Sequence, residues 1–390
     1  MTNDQALTYM HNLLRMMLDK NASDLFISAD FPAAMKIDGK MTPITQQKLT
    51  GEHTKAFAAS LMSEKQRNEF EKEKECNFAI APRDIGRFRV NVFIQQENVG
   101  MVLRTITTKI PRFDDLGLPI KLKEVMMVKR GLIILVGGTG SGKSTTLAAL
   151  IDYRNENSYG HIITIEDPVE YVHASKNCLI THREVGRDTL DWFPALKNTL
   201  RQAPDVILIG EIRDRETMEF ALAFAETGHL CMATLHANNS NQALDRIINF
   251  FPEERHSQLR MDLSLNLQSF ISQRLVPKKG GGRCAAIEIL LNSPLVADLI
   301  LKGETNQIKE VMGKSVELGM QTFDQALFVL CEEGRITKED ALRNADSINE
   351  LRLKFKLHGK KSNRSADEDR TALSLFEEPK EEQKTQSPHG

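Results

Sequence analysis

The chain has 390 residues, with 51 Lys and Arg against 53 Asp and Glu. That length supports two or three domains with their own cores, and the balanced charge argues against a general binder of nucleic acid or other polyanions. Five scattered cysteines (Cys76, Cys178, Cys231, Cys284 and Cys331) form no C-x-x-C pair, so neither a disulfide framework nor a tetracysteine zinc site is readable and a reduced cytosolic compartment fits. Met1 to Gln5 lack the basic stretch of a secretory signal. No run approaches the ~20 apolar residues that span a bilayer, so any membrane contact is expected to be peripheral or through a partner.

Leu7, Met10, Leu14, Met17 and Leu18 recur at helical spacing and predict an amphipathic helix over 4–20. Short β-like runs follow at 24–28 and 33–37, then a turn at Asp38-Gly39. Helical patterns cover about 52–72, and further strands are expected at 76–80, 86–94 and 99–106. This mixture reads as a small α+β domain over 1–110, joined through a proline-flanked linker at 111–120. Strands at 132–136, 161–165, 206–209 and 230–235 alternate with helical stretches, the pattern of a parallel α/β core. Helices are expected to dominate 241–357, apart from a β-like piece near 285–290. The second domain thus runs over 121–358. The remainder, 359–390, is rich in Lys, Glu, Ser, Asp and Gln, buries too little apolar surface to fold alone, and is expected to be disordered.

Gly137-Gly138-Thr139-Gly140-Ser141-Gly142-Lys143-Ser144 spells a complete phosphate-binding loop, entered from the apolar run Leu132 to Val136 and left through a helix that begins around Thr145. Glycines let successive backbone N–H groups converge on phosphate, and the helix N-terminus adds partial positive charge. Lys143 is suited to the β and γ phosphates and the Ser144 hydroxyl to Mg²⁺. Val206 to Ile209 lead into Gly210-Glu211, a strand that ends in a rigidly held carboxylate for the metal or its water. Glu166, Asp167 and Glu170 follow another apolar strand. Three carboxylates so close call for a cation or polar cleft between them, although an acidic turn is the bland alternative. Glu170 is the candidate for polarising water, and Glu166, a candidate metal ligand, or Asp167 serves the metal or the loop geometry. His229 and His236 flank the strand at 230–235 as possible γ-phosphate sensors or plain structural histidines. Arginines in Gly86 to Asn91 and at Arg104 either neutralise transition-state charge, worth ~10³–10⁵ in rate, or are solvated strand-face groups.

Together these segments resemble the secretion-type ATPases of type IV pili, closest to the PilT/PilU retraction branch, over about 1–357. The matching segments are Asn21 to Leu25 with Lys36 to Gly39, Gly137 to Thr146 (Walker A), Ile165 to Glu170 (Asp box), Ile207 to Arg213 (Walker B), Thr227 to His236 (His box) and Gly319 to Thr322. The resemblance implies a homo-hexameric ring of two-domain subunits, each with a PAS-like N-terminal domain and a RecA-like P-loop motor domain that binds ATP and Mg²⁺. It implies Glu170 as catalytic glutamate, Glu211 as Walker B glutamate, His229 as His-box histidine, and Arg89 and Arg104 as nucleotide-facing arginines. The partners it implies are a PilT-type retraction ATPase and an inner-membrane platform protein, at the cytoplasmic base of the pilus machine, with no nucleic acid. Leu295-Val296-Ala297-Asp298-Leu299-Ile300 stands where retraction motors of the PilT type carry Ala-Ile-Arg-Asn-Leu-Ile. With Phe26, Gln96 and the charged tail, this departure points to the PilU side: an accessory, PilT-dependent retraction ATPase for twitching motility. The alternatives are a structural partner whose own turnover is dispensable and an autonomous retraction motor.

Overall fold

Thr2 opens the first helix with a capping box: its hydroxyl accepts Gln5 N–H at 3.3 Å while Gln5 Oε1 accepts Thr2 N–H at 3.0 Å. The structure, a computed structural model, describes residues 1–37, 39–106 and 109–358. Asp38 of the expected turn and the 359–390 tail lie outside the described residues. Helix α1 (Asn3–Asp19) buries Ala6, Met10, Leu13, Leu14 and Met17, with Leu7 and Leu18 half-buried at the edges of that stripe. It packs into one apolar cluster with an antiparallel sheet made of β1 (Asp24–Ile27), β2 (Ala34–Ile37), β3 (Lys40–Pro43), β4 (Glu75–Ile80), β5 (Arg87–Gln95) and β6 (Asn98–Ile106). The strand order is β3-β2-β1-β6-β5-β4. The helical pattern over 52–72 is two helices, α2 (Gly51–Leu61) and α3 (Glu64–Glu73). Met62 leaves helical backbone, and the Ser63 side chain caps the second helix by accepting Gln66 N–H.

The segment read as a linker is not loose chain. Phe113 and Leu118 join Leu122 and Met126 of α4 (Lys121–Met126) in a cluster with Leu147, Leu150 and Ile151. The second sheet comprises β7 (Gly131–Val136), β8 (Gly160–Glu166), β9 (Cys178–Glu184), β10 (Val206–Ile209), β11 (Leu230–Leu235), β12 (Leu267–Pro277) and β13 (Arg283–Leu291), in the order β13-β12-β7-β11-β10-β8-β9. All neighbours run parallel except β12 and β13. Helices α5 (Lys143–Asn157), α6 (Trp192–Thr199), α7 (Arg215–Glu226), α8 (Ser240–Asn249) and α9 (His256–Asn266) intervene between strands. Every residue of β7, β10 and β11 is buried, as expected for parallel strands covered on both faces.

The expectation of helices through most of 241–357 needs correction. β12 and β13 form a long hairpin, paired from Ser269↔Leu291 to Pro277↔Arg283, and β12 lies beside β7. Its buried Glu288 is bonded: it accepts from Ser240 N–H and from the Ser240 and Ser272 hydroxyls at 2.8–2.9 Å. Strands β3 and β9 are also additions to the expected set. Helices α10 (Pro294–Lys302), α11 (Ile308–Lys314), α12 (Phe323–Glu332), α13 (Lys338–Arg343) and α14 (Ile348–His358) complete the described chain. Because β7, β8, β10 and β11 share one direction, their C-terminal ends meet at one edge. That edge carries the site.

Candidate nucleotide site

Glycine makes the loop after β7 possible in two ways. Gly142 has φ +86°, a left-handed conformation costly for other residues. At Gly137 a Cβ would come within 2.8 Å of the Gln273 carbonyl oxygen, so the loop runs hard against β12. Gln273, 4% exposed, clamps it further: its Nε2 donates to Ser141 O at 2.8 Å and its Oε1 accepts from the Thr146 hydroxyl at 2.7 Å. Lys143 Nζ donates to Gly137 O at 2.7 Å and Gly138 O at 3.0 Å. Burial lowers the Lys143 pKa, and the Glu211 carboxylate opposes that shift. The hydroxyls of Thr145 and Tyr171 lie 3.1 Å apart and tie α5 to the segment after Glu170.

Residues 139–145 of the loop line a cleft of about 510 Å³ together with Glu166, Asp167, Glu170, Glu211, Arg213 and His236. Glu211 Oε2 accepts from Arg213 Nε at 3.0 Å, and Glu211 Oε1 lies 3.2 Å from His236 Nε2. Arg213 Nη1 also reaches Asp167 Oδ2 at 3.5 Å, so one guanidinium bridges the ends of β8 and β10. Burial raises the Glu166 carboxyl to about 7, opposed by a hydrogen bond from the Thr164 hydroxyl. That hydroxyl lies 2.8 Å from His182 Nδ1. Glu166 Oε2 lies 3.5 Å from the Glu170 N–H, and the Glu170 side chain itself is exposed in the cleft. For His236, burial and then Lys143 lower the imidazole pKa, favouring the neutral ring.

Three expected positions lie elsewhere. The His229 carbonyl accepts Gly131 N–H at 3.0 Å, at the N-terminal ends of β11 and β7. Six strand residues, roughly 20 Å, separate it from the loop edge; its imidazole lies 3.1 Å from the Thr227 hydroxyl. His229 therefore stands away from the cleft of its own chain, and of the two histidines it is His236 that lines the cleft. Arg104 donates from Nε to Asp24 Oδ1 at 2.7 Å. It is paired in register with the exposed Arg89 across β5 and β6. Neither arginine lines the cleft of its own chain. Arg213, Tyr171 and Trp192 line the cleft and Gln273 backs its loop, although no motif singles them out as site residues. Arg213 stands two residues beyond Glu211 and was findable from charge spacing, whereas Gln273 is distant in sequence.

The residues fit a nucleoside triphosphate. A Cβ at Gly137 or Gly142 would collide with Gln273, whereas Gly138 and Gly140 face open space, and the buried Ser141 Oγ has no hydrogen-bond partner within the protein. Among the described residues no group of three or more His, Cys, Asp or Glu is arranged to hold a metal alone. Ser144, Glu166, Asp167, Glu170 and Glu211 line the cleft, and Mg²⁺ is usually held by phosphate, water and one or two carboxylates.

The fold and cleft define a RecA-like P-loop ATPase domain preceded by an α+β domain. Residues 3–321 match the family described as Type II/IV secretion system protein, and the chain belongs to that family. Within it the chain belongs to the PilT/PilU group of retraction ATPases. It is 60% identical over 346 residues to the type IV pilus ATPase PilU of Pseudomonas aeruginosa, covering 88% of this chain and 91% of that one. It is 44% identical over 333 residues to the type IV pilus retraction ATPase PilT of the same organism, covering 85% and 97%. The crystal structure of the pilus retraction motor PilT with bound ADP superimposes with a TM-score of 0.83 at 42% identity, covering 88% of this chain and 98% of that one.

Proposed function

We propose that this chain is an ATP-hydrolysing motor of type IV pilus retraction, acting in an accessory, PilT-dependent role in twitching motility. The observation that carries the reading is the convergence of a complete phosphate loop, Glu211 and Glu170 on one cleft of a chain 60% identical to PilU. In this reading Lys143 and the loop N–H groups bind the phosphates of ATP, and Ser144, Glu211 and Glu166 serve Mg²⁺. Glu170 accepts the proton of the attacking water, and His236 with Arg213 holds Glu211 in place. Mg²⁺ supplies charge neutralisation when bound.

The working unit is a homo-hexamer, whose partners are a PilT-type ATPase and an inner-membrane platform protein. Because Arg89 and Arg104 do not face their own cleft, we assign their nucleotide contact to a neighbouring subunit's site. Among the described residues no helix is long and apolar enough to cross a membrane, consistent with a peripheral position at the cytoplasmic base of the pilus. Closure of the cleft between domains converts phosphate chemistry into movement. The test is Mg²⁺-dependent phosphate release from ATP by the purified chain, alone and with PilT. Turnover abolished by chelation supports the reading; none under either condition sinks the motor assignment.

A second reading, a structural partner docked on PilT, is favoured by one observation. In α10, Ala297 is followed by Asp298, paired to Lys302 at 2.6 Å, where PilT-type motors carry an arginine-containing motif. Motility restored by Lys143→Ala in a cell that retains PilT would select this reading.

A further inference from the structure

Glu184, the last residue of β9, is 4% exposed. Its Oε2 accepts the Val169 N–H at 3.1 Å, and the same oxygen receives the guanidinium of Arg87. Arg87 belongs to β5 of the N-terminal sheet and Glu184 to the motor sheet, so this ion pair joins the two domains. It is sheltered, with side-chain exposures of 13% and 6%. The Glu184 backbone is fixed in turn, its N–H donating to Asp188 Oδ2 at 2.9 Å. A charge buried this far depends strongly on its partner. Val169 immediately precedes Glu170, whose own N–H has only the long 3.5 Å approach to Glu166. Val169 N–H is therefore the firmer anchor of the segment.

We propose that Arg87 and Glu184 form a domain-docking relay that positions Glu170: when the N-terminal domain is seated, Arg87 holds Glu184, and Glu184 holds the backbone that carries the water-polarising carboxylate. The proposal rests on the reading of Glu170 given above. Withdrawal of the N-terminal domain removes Arg87, leaves Glu184 buried without its counter-charge, and frees Val169 and Glu170 to move. Displacing a catalytic group by about 1 Å can cost ~10²-fold in rate. Hydrolysis is thereby confined to the docked arrangement, while nucleotide binding by the phosphate loop is not. Arg87 and Glu184 are positioning residues, since neither lines the cleft.

The experiment compares ATP turnover and fluorescent-ADP affinity of the full chain carrying Arg87→Gln, Arg87→Lys, Glu184→Gln, Arg87→Gln with Glu184→Gln, or Glu170→Gln. The relay predicts that Arg87→Gln and Glu184→Gln each lower kcat by roughly 10- to 10²-fold with ADP affinity unchanged. The double variant should be no slower than the slower single one, and Arg87→Lys should recover part of the rate. Wild-type turnover in Arg87→Gln and Glu184→Gln beside a slow Glu170→Gln would overturn the relay and leave Glu170 in its role. Slow Arg87 and Glu184 variants beside a fast Glu170→Gln would overturn the Glu170 assignment, and with it the relay's target. Loss of affinity in step with kcat would make the pair a plain structural clamp. Should the Gln variants fail to fold, amide exchange over 167–171 in Arg87→Lys decides: faster exchange supports the relay, and unchanged exchange overturns it.

Discussion

Replacing Gln273 by Leu isolates the clamp between β12 and the phosphate loop, because the two side chains are similar in size. Two hydrogen bonds disappear, to Ser141 O and from the Thr146 hydroxyl. The Thr146 hydroxyl can turn back to the Gly142 carbonyl one helical turn earlier, so its loss costs little. Ser141 O has no such recourse, and an unsatisfied buried acceptor costs about 1–3 kcal/mol. A loop without ligand can relax to hydrate that carbonyl, whereas a loop wrapped on phosphate cannot. The penalty therefore falls mainly on the bound state and should weaken nucleotide affinity by about 5- to 150-fold. The assay is equilibrium titration of fluorescent ADP with Mg²⁺, with Tm measured in parallel and Thr146→Val as the milder control. Unaltered affinity, with or without a fall in Tm, would refute the argument that Gln273 preorganises the loop.

Lys143→Ala removes the buried ammonium at the phosphates; two charge-assisted hydrogen bonds at about 1.5–3 kcal/mol each predict affinity for labelled ADP at least ~10²-fold weaker by the same titration. Glu170→Gln should bind nucleotide normally and slow steady-state turnover by ~10²- to 10⁴-fold; near-wild-type turnover would remove Glu170 from the chemistry. His173, 6% exposed, has its pKa lowered to about 4, chiefly by burial and then by His182. The unfolded chain then binds protons in preference to the folded one between pH 6.5 and 4, so stability falls as pH falls through that window, by about 2 kcal/mol at pH 5. Chemical denaturation at pH 7.5 and pH 5 should show a smaller difference for His173→Gln than for the wild type, and equal differences would contradict the assignment.

What was legible in the sequence was local. The phosphate loop, its entering strand and Glu211 lie within runs whose apolar character needs no distant partner, and the buried strands β7, β10 and β11 follow from that character alone. β12 was not legible, since Leu267, Phe270, Ile271 and Leu275 recur at helix-like spacing. Its buried Ser272 and Gln273 are satisfied by Ser240, Glu288, Ser141 and Thr146, all distant along the chain. The two histidines beside β11 show where topology enters. Both flank an apolar strand, but only the C-terminal end of a parallel strand opens on the site, which selects His236 over His229. Arg104 could not be placed without knowing that Asp24, 80 residues away, holds it.

Piliation and twitching motility in a cell lacking this chain alone, with PilT retained, test the retraction role most directly. The account predicts surface pili with motility lost, restored by the wild-type chain but not by Lys143→Ala. A bald surface would contradict it and make the chain an assembly motor.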